Sequence, residues 1–364
     1  MTDRPRLRDL GVTIGALPAG PANAITDVAG VTVGHVTLSD GKVQTGVTAV
    51  RPHPGHAFRD KLPAAVQVVN GFGKSVGLMQ LAELGTLETP VVLTNTLSVG
   101  TASTALVRHM LAATPEIGHS TGTVNAVVME CNDGGWLNDI RGLHVTEEHV
   151  LAALEGTGTV VGEGNVGAGT GMSCYGLAGG IGTSSRIVTR GPRTYTVGAL
   201  TLCNMGRMED LRVDGRPVGR AVAARIAAEK AERQAGEQAA AEGREQGSII
   251  VLLATDAPLD ARQLRRLAVR GGAGIGRTGT HFGSGSGDVV LAFATAETVP
   301  HVMAEDPETT RRSLHEDAMD ALFRAAIEAT EEAILNTLLA ARPTRGKQGR
   351  KRRSLAEFAD LVGG

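Results

Sequence analysis

The run EGREQGSIIVLLATDAP, residues 242–258, joins a charged segment to a dry, strand-like one at Gly247–Ser248. Two readings fit this seam. In one, a loop ends and a strand begins, since Gly and Ser are ordinary turn residues. In the other, the chain cuts itself there. Glycine lacks a Cβ, so the Gly247 carbonyl can be held in a strained, accessible geometry. The Ser248 hydroxyl could attack that carbonyl and form an ester, and water would release Ser248 as a new N-terminus. An α-amine has an unperturbed pKa of about 7.7–8.0, so it can act as base for its own hydroxyl at neutral pH. One residue would then supply both nucleophile and base.

Other clusters carry less chemistry. GEGNVG (162–167) matches a dinucleotide fingerprint by letter. Such a fingerprint also needs a helix opening on its third glycine and an acid about 20 residues on. Here AGTGMSCYGLAGG comes next, and the distant position is Arg186, so a structural glycine loop is expected. In HVTEEH, His144 and His149 are five apart and fall on different helix faces, unlike a zinc-binding i, i+4 pair. HPGH (53–56) reads as a turn with no third ligand nearby. No phosphate-binding GxxxxGK[ST] loop occurs.

The elements that must position Ser248 are a mixture of strands and helices. AITDVAGVTVGHVTL and QTGVTAVRP are rich in Val and Thr, and residues 1–60 read as β-rich. AAVQVVNGFG reads as a strand into a turn, then KSVGLMQLAELG as a helix with Gly85 as its C-cap. TPVVLTNTLSVG and VNAVVMECNDGGWLND repeat the pattern of strand into polar turn, and TASTALVRHMLAAT reads as an amphipathic helix. TEEHVLAALEG is a short helix capped by Thr146. RTYTVGALTLCN is a strand, and DLRVDGRPVGR a hairpin-like turn at Asp214–Gly215. Residues 221–247 are Ala/Glu/Arg/Gln-rich with little apolar periodicity, a helix fraying into an exposed linker. SIIVLLATD, DARQLRRLAVR, GDVVLAFAT and a long helix over roughly 307–341 complete the set. The basic stretch in 343–364 is expected to be a solvated tail. Strands and helices do not alternate strictly, which favours a layered α+β sandwich over a doubly wound parallel sheet.

Bulk composition narrows the function classes. At 364 residues and 42% hydrophobic content, the chain can bury a large core. A net charge of -2 provides no global attraction to nucleic acid or anionic lipid. Aromatics at 2% argue against stacking platforms for single strands. Cys131, Cys174 and Cys203 are scattered and odd in number, which suits a reducing compartment. The opening MTDRPRLRDLG lacks the apolar stretch of a secretory signal, and no run is long enough to span a bilayer. A cytoplasmic protein is expected, with no nucleic-acid or membrane partner.

SIIVLLATDAPL, RTGT with SGD shortly after, NDGGWLNDI, GTGM with GGIGTSSR, and NMGRMEDLRVDGRPVGR occur in a telling order. Together they resemble the self-processing aminopeptidases, a family that includes L-aminopeptidase/D-amidase/esterases and β-peptidyl aminopeptidases. The resemblance runs from AITDVAGVTVGH to the helix ending near 341. It implies one catalytic domain with a four-layer αββα sandwich of the N-terminal-nucleophile hydrolase type, a layout shared with ornithine acetyltransferases. It implies cleavage into 1–247 and 248–364, a homotetramer of cleaved pairs, and use of no metal or organic cofactor. The implied substrates are short peptides, amides or esters with small N-terminal L-, D- or β-residues.

The resemblance also assigns roles. Asn204 matches the family's oxyanion-hole asparagine, and its carboxamide is a suitable neutral donor; an Asn turn before Gly206 is the plainer reading. Ser286 and Asp288, in GSGSGDVVLAF, match a serine and an acid beside the nucleophile. Ser286 could relay a hydrogen bond to the new α-amine or the Ser248 hydroxyl, and Asp288 could orient that network. Some relatives carry Glu at that acidic position, so the shorter Asp288 puts direct contact with the nucleophile in question. A GSGSGD turn with an Asp cap is the alternative. Glu130 could bind the substrate's ammonium, or simply end a strand at the surface. Asn132 stands where some relatives have a tyrosine, which would alter substrate preference. Asn70, Asn95 and Thr96 end strands and have no assigned role. An acyltransferase or an unprocessed, non-catalytic homologue are the alternatives to the hydrolase.

Overall fold

The computed structural model describes residues 4–233 and 247–363. Nine longer strands form two sheets. They are β1 (Thr32–Asp40), β2 (Val43–Arg51), β3 (Asp60–Gly71), β4 (Val91–Asn95), β5 (Val127–Cys131), β6 (Gly180–Arg190), β7 (Arg193–Asn204), β8 (Ser248–Thr255) and β9 (Gly287–Ala294). The first sheet has the order β1-β2-β4-β5 and the second runs β3-β9-β8-β7-β6, with Val299–Pro300 added outside β3. In the second sheet β8 pairs parallel with β9 and antiparallel with β7.

Both central faces of these strands are covered, which explains why they read as continuous apolar runs. Side chains alternate along a strand. Ile250 and Leu252 of β8 therefore point between the sheets, with Leu93 and Met129 of the first sheet. Val251 and Leu253 point the other way, toward helices α5 (Ala261–Arg277) and α6 (Met319–Ala340). Val47, Val92 and Val128 on the outer face of the first sheet pack against α2 (Val99–Ala113) and α3 (Glu147–Glu155). The layers are thus helix, sheet, sheet, helix: the αββα sandwich.

Local signals hold where they rest on short-range chemistry. Gly85 ends the helix Leu78–Leu84 in the left-handed conformation, at φ 66°. Thr146 precedes α3, and His149 Nδ1 accepts from its N–H at 3.0 Å. Asp214 and Gly215 both have positive φ, with Val213 bridged to Arg216. Asp260 caps α5 by accepting from Gln263 N at 2.7 Å.

Two expectations are corrected. The last long helix begins at Met319, not near 307, because DPETTRRSLHED offers no apolar face to bury. The basic C-terminal stretch is not a solvated tail. Thr344–Arg345 pairs with Lys351–Arg352, and Leu355, Phe358 and Val362 are fully buried. Their spacing is a docking stripe that the neighbouring basic run conceals. Within 221–247, residues up to Arg233 continue the helix that starts at Val218, and the rest of that expected linker, 234–246, lies outside the described residues.

An ion cluster ties the segment before the seam to the segment after it. Arg186 on β6, fully buried, donates to Glu332 at 2.6 Å and Glu328 at 3.3 Å, both on α6. Arg8 reaches Glu332 as well, at 2.8 Å. Buried charges persist only when paired, so Arg186 is the structural centre of this cluster and not part of a nucleotide site. β6 approaches α6 so closely that a Cβ on Gly182 would lie 1.9 Å from the Ala333 carbonyl oxygen.

Candidate active site

Ladder register brings the site together. Ser248 is the first residue of β8, opposite Asn204 at the end of β7. On its other side β9 pairs Ile249 with Asp288. Ser248 shares a face with Ile250 and Leu252, so its side chain points into the layer between the sheets, at their edge. Its hydroxyl oxygen accepts from Gly287 N at 3.0 Å, and the residue is 6% exposed. Gly247 fits against β7 only as glycine: a Cβ there would sit 2.1 Å from the Asn204 carbonyl oxygen.

The Asn204 carboxamide has a determined orientation. Its Oδ1 accepts from Ser173 N at 2.9 Å, and its Nδ2 donates to the Asn132 carbonyl at 2.9 Å. Swapping O and N would set donor against donor and acceptor against acceptor. One N–H is thereby used, and the second can serve another acceptor. Asn204 lies in the ladder, with no left-handed turn conformation.

On the β9 side, the Ser286 hydroxyl has two acceptors for its one proton, Asp288 Oδ2 and the Gly283 carbonyl at 2.8 Å. Asp288 Oδ1 accepts from Ile249 N at 3.2 Å. The short carboxylate thus reaches the backbone one residue beyond Ser248, together with the Ser286 hydroxyl. Asn70 Nδ2 donates to the Ser286 carbonyl and, at 3.2 Å, to the Gly283 carbonyl, which holds the turn in place.

Glu130 is buried, not a surface strand end; it is 3% exposed. Its Oε1 accepts from Lys74 N at 2.8 Å and its Oε2 accepts from the Thr96 hydroxyl. Among the described residues no Lys, Arg or His forms an ion pair with it. A buried carboxylate compensated only by neutral donors is a place for a cation to complete. Gly73 lies between it and the neighbour of Ser248: a Cβ at Gly73 would lie 3.4 Å from Glu130 Oε1 and 3.7 Å from Gly287 Cα.

The Asn132 side chain is exposed and its Oδ1 accepts from Gly134 N at 2.9 Å, closing its own turn. Its backbone carbonyl accepts from Asn204 Nδ2. Beyond it, Asp133 is buried, accepts from Asn138 Nδ2 at 2.9 Å, and has its pKa raised by burial to about 7. The C-terminal hairpin braces this loop. Trp136 Nε1 donates to the Lys351 carbonyl at 3.1 Å, and Lys347 Nζ donates to the Gly134 carbonyl.

Several groups missed in the sequence are contributed by backbone: the N–H groups of Gly287, Lys74 and Ser173. Every residue but proline carries such a donor, so no residue type signals it. Asn70 lies at the end of β3 and Thr96 just after β4, and that position is their only signal. Cys131, beside Glu130, is buried and its thiol is pushed well above the usual range by burial, which keeps it protonated and unreactive. His144 and His149 form no metal cluster; among the described residues no group of three or more His, Cys, Asp or Glu is placed to hold a metal ion. Among the same residues no helix is long and apolar enough to cross a membrane. A hollow of about 450 Å³ lined by Phe58, Thr121, His301 and Val302 contains none of the Ser248 cluster, so chemistry and not cavity size locates the site.

Comparison with known proteins shows the family. The chain is 42% identical over 358 residues to β-peptidyl aminopeptidase BapA of Sphingosinicella microcystinivorans, covering 95% of this chain and 88% of that one. A Burkholderia sp. β-aminopeptidase structure superposes with a TM-score of 0.87, at 40% identity and 98% coverage of both chains. The L-aminopeptidase D-Ala-esterase/amidase of Ochrobactrum anthropi, described as a prototype for the serine aminopeptidases with a variant of the Ntn hydrolase fold, gives 0.85 at 35% identity, covering 98% of this chain and 100% of that one. The model of peptidase family S58 matches residues 23–352, and the chain belongs to that family.

Proposed function

We propose that this protein is a serine aminopeptidase that cuts itself between Gly247 and Ser248 and then works through the freed Ser248. The observation that carries the reading is the meeting of three groups at one strand end: the Ser248 hydroxyl on Gly287 N, the oriented Asn204 carboxamide, and the buried Glu130. In the first step the Ser248 oxygen bonds to the Gly247 carbonyl carbon. The Gly247–Ser248 C–N bond breaks, and the nitrogen gains the hydroxyl proton. Water hydrolyses the resulting ester, leaving a Gly247 carboxylate and a free amine on Ser248.

In turnover that amine takes the hydroxyl proton as oxygen attacks the substrate carbonyl. Asn204 donates its second N–H to the oxyanion. The Ser286–Asp288 pair stabilises positive charge developing on the amine. Glu130 receives the substrate's ammonium, which restricts cleavage to N-terminal residues. The leaving amine departs with the proton, and water releases the acyl group. Substrates are short peptides or aminoacyl amides, with β-residues favoured by the names of the relatives. The protein is proposed to act in the cytoplasm as a homotetramer of cleaved pairs.

Intact mass spectrometry tests the mechanism. Purified protein should give two chains, the second beginning at Ser248, and Ser248→Ala should give one inactive chain. An uncut yet active wild type refutes it. Hydrolysis of L-, D- and β-aminoacyl p-nitroanilides sets the substrate class.

A further inference from the structure

Asn204 is aimed by what holds it. The ladder sets it opposite Ser248, and its Nδ2 donates to the Asn132 carbonyl at 2.9 Å. Asn132 opens a turn whose next residue, Asp133, is 1% exposed. Distant parts of the chain close over that carboxyl. Asn138 Nδ2 donates to Asp133 Oδ1 at 2.9 Å, and Asn138 Oδ1 accepts from Gln44 N at 3.0 Å. Thr45, the next residue of β2, lies beside the carboxyl, and its hydroxyl accepts from Asn95 Nδ2 at 2.8 Å. A Cβ on Gly171 would lie 3.1 Å from the Asp133 Cβ. Asp133 Oδ2 is buried with no hydrogen-bond partner. Lys347 Nζ donates to the Gly134 carbonyl, one residue on.

We propose that Asp133 is a positioning residue: in its neutral form it keeps the Asn132 turn closed, so that the Asn132 carbonyl holds the Asn204 carboxamide ready for the oxyanion. This rests on the aminopeptidase reading and on the role of Asn204 in it. A buried carboxylate with one oxygen unpaired is costly. Burial accordingly raises the Asp133 pKa to about 7, against Thr45, Asn138 and Lys347, which favour the charge. Of the other charged groups around the turn, Arg350 is directed to the Gly135 carbonyl at 3.5 Å, and Asp139 is paired with Lys42 at 2.9 Å. Once ionised, the carboxylate is relieved by water, which reaches it only as the turn opens. Opening moves the Asn132 carbonyl and frees the N–H that fixes the Asn204 amide. An oxyanion donor acts through preorganisation, so the loss falls on kcat. Substrate capture is separate, because Lys74 N and the Thr96 hydroxyl hold Glu130.

The experiment measures kcat and KM for β-alanyl p-nitroanilide from pH 6 to pH 8 on processed wild type, Asp133→Asn and Asp133→Ala. Across that range the neutral fraction of Asp133 falls from about nine-tenths to about one-tenth. The ratio of wild-type kcat to that of Asp133→Asn should therefore fall by about tenfold, with the KM ratio constant. Titration of the Ser248 amine is common to both enzymes and cancels in the ratio. Asp133→Ala loses the acceptor for Asn138 and should have a lower kcat than Asp133→Asn at both ends of the range. Lys347→Gln keeps a donor for the Gly134 carbonyl but removes a charge that favours ionisation, so it should move the wild-type decline in kcat to higher pH. That shift decides alone if the Asp133 variants are not processed. A constant kcat ratio, a change confined to KM, an Asp133→Ala enzyme equal to Asp133→Asn, or an unmoved decline in Lys347→Gln overturns the proposal. No hydrolysis by wild type refutes the aminopeptidase reading itself, and this inference with it; hydrolysis with a constant ratio refutes only the inference.

Discussion

Asp133→Asn isolates one buried charge in the loop that holds Asn204. Burial raises the Asp133 pKa to about 7 from an ordinary 3.8. Thr45 and Lys347 lie near enough to favour the charge, but no hydrogen bond forms at Oδ2. The folded state therefore binds more protons than the unfolded state between those values. Stability from this group is full in acid and is lost as pH rises through about 7. From pH 5 to pH 8 the loss comes to about 2–3 kcal/mol, at about 1.4 kcal/mol per pKa unit. Asparagine keeps the Oδ1 acceptor for Asn138 and cannot ionise. The variant should be level with or slightly below the wild type at pH 5 and gain on it by that margin at pH 8.

Trp136, three residues on, is the only tryptophan of the chain and reports unfolding of this same loop. Urea titrations followed by its fluorescence at both pH values, in a Ser248→Ala background that keeps one chain, give the two differences. Only the wild-type-to-variant difference is diagnostic, because other buried groups titrate too. Glu163, raised by burial to about 6, adds loss in the same direction. His35, lowered by burial to about 4, works oppositely, since its neutral form suits the fold as pH rises. A difference that stays constant from pH 5 to pH 8 refutes the argument.

Gly247→Ala would drive a methyl group to 2.1 Å from the Asn204 carbonyl oxygen, against backbone that cannot yield cheaply. It should leave most of the protein as one chain by intact mass, and unhindered cleavage would refute that steric requirement. Arg186→Met leaves Glu328 and Glu332 without their shared partner in the interior. It should cost about 3–5 kcal/mol in urea unfolding; a loss below about 1 kcal/mol would show that Arg8 and Arg324, the latter 2.6 Å from Glu328, suffice to hold the acids.

How much of the molecule is legible in its sequence depends on the range of the forces involved. Turn chemistry at Gly85, Thr146 and Asp214–Gly215 is local and readable. So is β8, where an unbroken apolar run after Ser248 announces a strand covered on both faces. Glu130 is ambiguous in the sequence because burial is a property of the whole sandwich: nothing in VVMECNDGG says that Thr96 and the Lys74 N–H will converge on its carboxylate. The side chain of Asn132 invites a role in substrate contact, but nothing in the sequence says that its backbone carbonyl will hold Asn204 or that its Oδ1 will close a turn. The C-terminal stretch misleads for the opposite reason: its charge is conspicuous, while the three apolar residues that dock it are spread over 355–362.

A serine belongs at this seam because of the strand it opens. Ile249 and every later residue of β8 are buried, so the first residue alone can be both fixed and reachable. The ladders to β7 and β9 hold that residue without the conformational cost of a loop, and they deliver Asn204 and Gly287 to its two sides by register alone. A nucleophile one position later would face the opposite layer, under α5 and α6, because side chains alternate. A nucleophile one position earlier would sit where no Cβ fits against Asn204. The strand thus offers the proposed chemistry a single place, and the glycine before it is a condition of that place.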